Sequence, residues 1–229
     1  VFEAGGPDEL YVAGEPVPFM SQVRDTGRAV IYRLDHTGRV VDTLLTYPGS
    51  SWTPIQLPNG RTSFAKPRFS AEPRLDARPG IAAASYIPTY VIDVRSPDGR
   101  PTLRIARQYE NAPVVKAVRD SVLDRLASGP NRIPREALAS IPFESQIPAI
   151  EGLTMDDRRR VWIDPYAPDQ PARRDLFDTE GRFQGPAYLP EPIRLKDIRG
   201  GRACGAVHDP DDRSVQVVCY RVMEPPPKA

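Results

Sequence analysis

Few side chains in this sequence stand where catalysis or metal binding would need them. His208 opens the turn "HDPDDR" and is followed by Asp209, Asp211 and Asp212, a grouping that would suit a proton relay or a cation site. The same composition is ordinary for a solvated acidic turn. His36 is the other histidine; it lies in a turn whose counterparts elsewhere in the chain carry Pro97 and Thr179, residues without acid or base chemistry. Cys204 and Cys219 are the only cysteines, and they lie at equal distances from the point between Asp211 and Asp212 in the His208 turn, so a simple hairpin sets them opposite each other. Two readings stand: a pair of small buried apolar residues on adjacent strands, or a cross-strand disulfide if the protein is exported. Neither makes a metal site, because there is no second cysteine pair.

Aromatic residues in loops are the remaining binding candidates. Trp52 in "YPGSSWTPIQLPNG", Tyr86 in "SYIPTY" and Tyr166 in "DPYAPDQP" would form an aromatic patch if their loops share one face, although single exposed aromatics also occur without function. Trp162 and Phe177 alternate within strand patterns and read as core. The chain carries no Gly-x-Ser-x-Gly elbow, no phosphate-binding glycine loop and no His-Glu-x-x-His. With 31 basic and 30 acidic residues the formal charge is +1, so no global field steers the protein toward nucleic acid or an anionic membrane. No run approaches the roughly 20 apolar residues that span a bilayer.

These residues have to be positioned by strands. The 229 residues are 40% apolar, clustered in short runs such as "AVIYRL", "YVIDV", "RVWI" and "VQVVCYRV". The 27 prolines are roughly twice the usual share of about 5% and mark rigid turns and strand ends. The pattern strand, Asp-Gly turn, Arg, strand occurs three times, as "AVIYRLDHTGRVVDTLLTYP", "YVIDVRSPDGRPTLRIARQY" and "ARRDLFDTEGRFQGPAYLP". In these hairpins Asp35, Asp98 and Asp178 are expected to cap the turn, and Gly38, Gly99 and Gly181 to supply its positive φ. Arg39, Arg100 and Arg182 follow the glycines and are expected to pair with the turn carboxylates; recurring once per unit, they are structural rather than catalytic. Further strand-like runs upstream of each hairpin make about four strands per unit, for example around the turn at Asp156 and Asp157. Residues 193–222 give three more strands and an incomplete fourth unit. "NAPVVKAVRDSVLDRLASGP" predicts a helix with Val115, Val118, Val122 and Leu126 on one face and Asn111 as N-cap, and "PREALASI" predicts a further turn of helix.

Four-stranded repeats with glycine turns are the mark of radial β architecture, and the sequence resembles the six-bladed β-propellers of bacterial, often exported, proteins of mostly unassigned function. The three hairpins, the block "PFESQIPAIEGLTMDDRRRVWIDPY" and the closing "VQVVCYRV" carry the resemblance. It implies an all-β fold with about four blades at residues 1–223, a lid-like helical insertion at about 111–141, and a disordered tail at 224–229. Four units do not close a six-bladed ring, so the chain, which begins at Val1, is expected to be a fragment of a longer protein or a processed one. The resemblance also implies that a strand from the N-terminus completes the last sheet, which residues 1–15 do not obviously supply. It further implies a periplasmic or extracellular location and a binding role without a cofactor, toward a small molecule, peptide or glycan. The candidates for that role are Trp52, Tyr86, Tyr166, His208 and Asp209. Some six-bladed propellers are calcium-dependent lactonases with the metal in the central channel on Glu, Asn and Asp; on that alternative Glu151 and Asp197 are the candidates, though the three asparagines (Asn59, Asn111, Asn131) all lie in loops or at the helix start.

Overall fold

In a computed structural model, which describes residues 2–6, 9–14, 28–48, 53–56, 60–70, 72–86, 89–128, 138, 140–208 and 215–223, the repeats become consecutive antiparallel meanders. The first holds β1 (Phe2–Gly6), β2 (Glu9–Gly14), β3 (Arg28–Leu34) and β4 (Val40–Pro48). A small hairpin of β5 (Thr53–Gln56) and β6 (Thr62–Ala65), unanticipated in the sequence, precedes the second meander: β7 (Pro73–Arg78), β8 (Ile81–Tyr86), β9 (Val91–Arg95) and β10 (Pro101–Ala106). After helix α1 (Lys116–Ser128) comes the third, β11 (Ile150–Met155), β12 (Val161–Pro165), β13 (Arg173–Phe177) and β14 (Phe183–Tyr188). The fourth has three strands, β15 (Arg194–Arg199), β16 (Arg202–His208) and β17 (Val215–Arg221). β7 lies against both β1 and β11, and β11 against both β7 and β15, so the first strand of each sheet is innermost and the sheets fan out as blades. The fold is a β-propeller, about four blades of one, with a helical insertion. β1 and β2, within the stretch 1–15, build the inner half of the first blade rather than closing the last one.

Alternation along each strand explains why the blades stack. Successive side chains point to opposite faces of a sheet, so a strand buried on both faces serves two cores. In β8, Ala82 and Ala84 join Tyr11, Ile31 and Leu44 of the first blade, whereas Ala83 joins Met155, Val161 and Ile163 of the third. In β12, Val161 and Ile163 face the second blade, whereas Trp162 packs with Ile198 and Ala203 of the fourth. Trp162 and Phe177 are core residues, as their positions predict. Buried carboxylates weld the same seams. Asp175 is fully buried on β13 and accepts hydrogen bonds from Tyr90 Oη (2.8 Å) and Arg107 (2.7 Å) of the second blade and from Arg173 (2.8 Å) of its own. Asp76 on β7 accepts the Met155 backbone N–H of β11 at 2.5 Å.

The repeated hairpin turn has a defined job in this packing. In the third blade the Asp178 carboxylate accepts the N–H groups of Glu180 (2.9 Å) and Arg182 (2.8 Å), Gly181 N–H bonds Asp178 C=O, and Gly181 adopts φ +78°. Asp35 does the same for Thr37 and Arg39. Ser96, not Asp98, holds the equivalent position in the second blade; Asp98 sits two residues on and accepts Arg100 N–H at 3.3 Å. The arginines differ as well. Arg100 pairs with Asp98 at 3.1 Å, but Arg182 pairs with Glu180, whose carboxylate reaches further than the capping Asp178, already held by backbone N–H groups. The turns of the second and third blades press on the outer strand of the preceding blade: a Cβ at Gly99 would lie 3.4 Å from Asp42, and one at Gly181 2.9 Å from Leu103. The inner turn "DDRRR" repeats the geometry with Asp156 as cap and Arg159, at φ +62°, in the slot the others give to glycine.

Helix α1 begins at Lys116, later than predicted. Upstream, Val114 N–H bonds Ser145 C=O and Ile147 N–H bonds Ala112 C=O, so this stretch is extended and paired, and Asn111 does not cap the helix. No helix residue is fully buried, and Val115 is exposed. The helix is fixed on one side by the Arg119 guanidinium, 4.9 Å from the centre of the Phe143 ring. Most of the second predicted helical turn, at 134–141, lies outside the described residues, as do residues 224–229.

Candidate functional site

The blades give the molecule two unlike ends. Because the innermost strands run side by side in one direction, with a parallel bridge between Asp156 and Ile198, the tight turns at 35–38, 79–80, 96–99, 156–160, 178–181 and 200–201 all fall at one end. The longer connections, including the β5–β6 hairpin, α1 and residues 166–172, fall at the other. Loops of that kind, set on a rigid scaffold, are where binding groups concentrate.

Three of the predicted residues map to the loop end. Tyr86 ends β8 opposite Pro73, the first residue of β7. His208 ends β16, beyond Ala206, which faces the first residue of β15. Tyr166 directly follows β12; its backbone oxygen accepts the Tyr109 hydroxyl at 3.3 Å, and its ring stands edge-on to Phe69 at 6.3 Å. Burial, and then the nearby Glu151 charge, raise the Tyr166 pKa. Trp52 and Asp209 lie outside the described residues.

Below these loops, the starts of β7, β11 and β15 enclose a polar cavity of about 140 Å³. Its floor is an ion pair, Arg174 to Asp164 at 3.1 Å. Arg174 comes from β13 and is 2% exposed; it also donates to the carbonyls of Arg173 (2.6 Å) and Ile193 (2.7 Å), while its Nε is buried without an acceptor among the described residues. Burial raises the Asp164 carboxyl to about 6, Arg174 and Arg74 opposing and Glu151 assisting. Glu151 keeps a path to solvent, yet the walls desolvate it enough to raise its pKa against Arg74, Arg174 and Arg125. Arg74 Nε donates to the Glu151 backbone oxygen at 2.7 Å, which fixes β7 to β11 at the cavity mouth. Gly152 packs tightly here: a Cβ would lie 3.0 Å from the Asp164 Cβ, so the Asp164 side chain would have to shift. A second hollow, about 310 Å³, shares Arg74 and Glu151 and is walled by Phe69, at φ +63°. A bulky residue in that region marks a locally constrained backbone.

The two metal candidates lie apart. Glu151 is at the loop end of β11, whereas Asp197 is near the turn end of β15, where Arg78 bonds both Met155 C=O (2.9 Å) and Asp197 (2.9 Å). Asp197 therefore lies level with Met155, four positions or about 13 Å along the strand from Glu151 at ~3.3 Å per residue. Among the described residues no three His, Cys, Asp or Glu side chains gather as a metal site. Cys204 and Cys219 face each other across β16 and β17 and are bonded, as the sharper of the two readings expects.

Asp164, Arg174 and Arg74 were not singled out in the sequence. A signal was present: "RVWIDPY" and "ARRDLF" place charged residues inside strands that are otherwise apolar, and charges buried there require partners.

No protein-family model matches the sequence, and no curated protein matches it. Among solved structures the chain is similar to a calcium-binding protein, regucalcin, from Agrobacterium tumefaciens, at 10% identity over 90% of this chain and 52% of that one, with a TM-score of 0.38. It is also similar to a luciferin-regenerating enzyme, at 10% identity over 93% of this chain and 55% of that one (TM-score 0.37). A protein of unknown function from Bacteroides caccae matches at 10% identity over 93% of this chain and 73% of that one (TM-score 0.35). The chain spans about half the length of the first two.

Proposed function

We propose that this chain is a binding module of a six-bladed, bacterial β-propeller, working without catalysis and exported to the periplasm or beyond. One observation carries the binding reading: the long connections share one end of the blades, and at that end the inner strands frame a cavity lined by ionisable groups. Strands hold Arg74, Glu151 and Asp164, and the adjoining hollow adds Phe69, against which the Tyr166 ring packs, so the site is set before a ligand arrives. A small molecule, a peptide end or a glycan unit fits that chemistry. Export is supported by the Cys204–Cys219 disulfide, which persists in oxidising compartments. No helix among the described residues is long and apolar enough to cross a membrane.

An NMR screen of small carboxylates, sugars and short peptides tests the reading. Amide perturbations are expected at Gly152, Asp164 and Tyr166. A ligand that instead perturbs the turns at Gly38, Gly99 and Gly181 would overturn it. The second reading, a calcium-dependent lactonase-type hydrolase, rests on Glu151, which lines the cavity. It predicts bound calcium in the purified protein and a calcium-induced rise in melting temperature that Glu151→Gln abolishes.

A further inference from the structure

We propose that the loop-end cavity receives the anionic group of a small ligand, a carboxylate or a phosphate, gripped by Arg174, Arg194 and Lys196. The inference rests on the binding reading above and names the chemistry of its ligand.

The charge of the whole chain is balanced, but the charge at this site is not. Six basic side chains line the two joined hollows: Lys66, Arg68, Arg74, Arg174, Arg194 and Lys196. The acidic side chains there number four, and three are committed. Glu72 is paired with Arg74 at 2.9 Å, Asp76 accepts the backbone N–H groups of Met155 and Ala77, and Asp164 is paired with Arg174. Arg194 and Lys196, two residues apart on β15, have no carboxylate partner among the described residues, although both line the inner cavity. Behind them Arg174 keeps a buried Nε–H without an acceptor. A ligand oxygen entering the cavity would offer an acceptor to that donor. Guanidinium groups suit carboxylate and phosphate because their N–H groups match the spacing of two oxygens.

The carboxylates explain how such a site also lets its ligand go. Around Asp164 in the cavity stand Glu151 and Gly152 from β11, Arg74 and the buried Asp76, its carboxyl also raised by burial, from β7, Arg174 from β13, and Arg194 and Lys196 from β15. With its midpoint near 6, Asp164 is charged at pH 7.5 and repels an incoming anion; at pH 5.5 it is mostly neutral and opposes the cations less. Binding and protonation therefore favour each other. If the ligand raises the Asp164 midpoint by about one unit, affinity increases about tenfold between alkaline and acid limits.

The experiment follows the Asp164 carboxyl carbon by NMR between pH 4 and 8 in sodium chloride, and then in sodium phosphate or sodium acetate at equal ionic strength. A midpoint near 6 that moves upward with phosphate or acetate, and does not move in the Arg194→Ala/Lys196→Ala double variant, is the expected result. Both replaced side chains are exposed, so the variant keeps the fold, and unchanged amide spectra away from β15 check that. A midpoint indifferent to both anions, or an equal shift in the double variant, overturns the inference. Glucose and maltose separate the two failures. Amide shifts at Gly152 and Tyr166 with a neutral sugar and none with either anion would reject the anionic class and leave a binding site. Silence with all four compounds would reject both.

Discussion

A single methyl group placed at residue 38, 99 or 181 separates two reasons for a glycine turn. All three residues sit at positive φ (+82°, +78° and +78°), so alanine is strained at each. That strain costs roughly 1–2 kcal/mol for a residue with a Cβ. Only the surroundings differ. At Gly38 nothing lies within 4 Å of the new Cβ; at Gly99 the nearest atom is an Asp42 oxygen at 3.4 Å; at Gly181 it is a Leu103 methyl at 2.9 Å, with Ile105 at 3.2 Å. Leu103 and Ile105 belong to the outer strand of the preceding blade and pack on its core, so they cannot yield freely. Crowding of this kind adds roughly 1–3 kcal/mol. Gly181→Ala is therefore expected to lose about 2 kcal/mol more than Gly38→Ala, a further drop of about 4–8 °C in melting temperature for a chain of this size. Gly99→Ala should fall between them. Thermal and urea unfolding of the three variants read this directly. Equal losses at residues 38 and 181 would refute the argument that these turns clamp one blade to the next.

Two other outcomes follow from the packing. Asp175→Asn removes the charge that holds Tyr90, Arg107 and Arg173 together at a fully buried position, so unfolding experiments should show a loss of about 3–5 kcal/mol; a loss under 1 kcal/mol would mean that the seam between the second and third blades does not depend on it. Denatured, unreduced protein should show no free thiol, and Cys204→Ser/Cys219→Ser should lose about 3 kcal/mol, since the bond closes a loop with a sequence separation of 15; two titratable thiols would contradict the bonded pair.

What the sequence determined by itself is short-range. Alternating apolar runs made the strands, and Asp or Ser with glycine at fixed offsets made the hairpins, because turn hydrogen bonds join residues two to four apart. The placement of Cys204 opposite Cys219 was legible for the same reason, by symmetry about one turn. The helix start was not, because the residues that hold 112–114 in extended form come from 145–147, far along the chain. Likewise Arg159 reads as part of a charged run, and only the turn's geometry reveals that it occupies a glycine slot.

The candidate site belongs to the tertiary structure. Glu151 was visible as a residue, but the cavity it lines was not, and Asp164 and Arg174 were hidden in strands read as core. Arg74 meets Glu151 across 77 positions of sequence, on the innermost strands of neighbouring blades. No local pattern encodes that distance. It is decided by the stacking of blades, in which each sheet buries its two faces on its neighbours and leaves the starts of the inner strands, with their mismatched charges, facing one another across a small cavity.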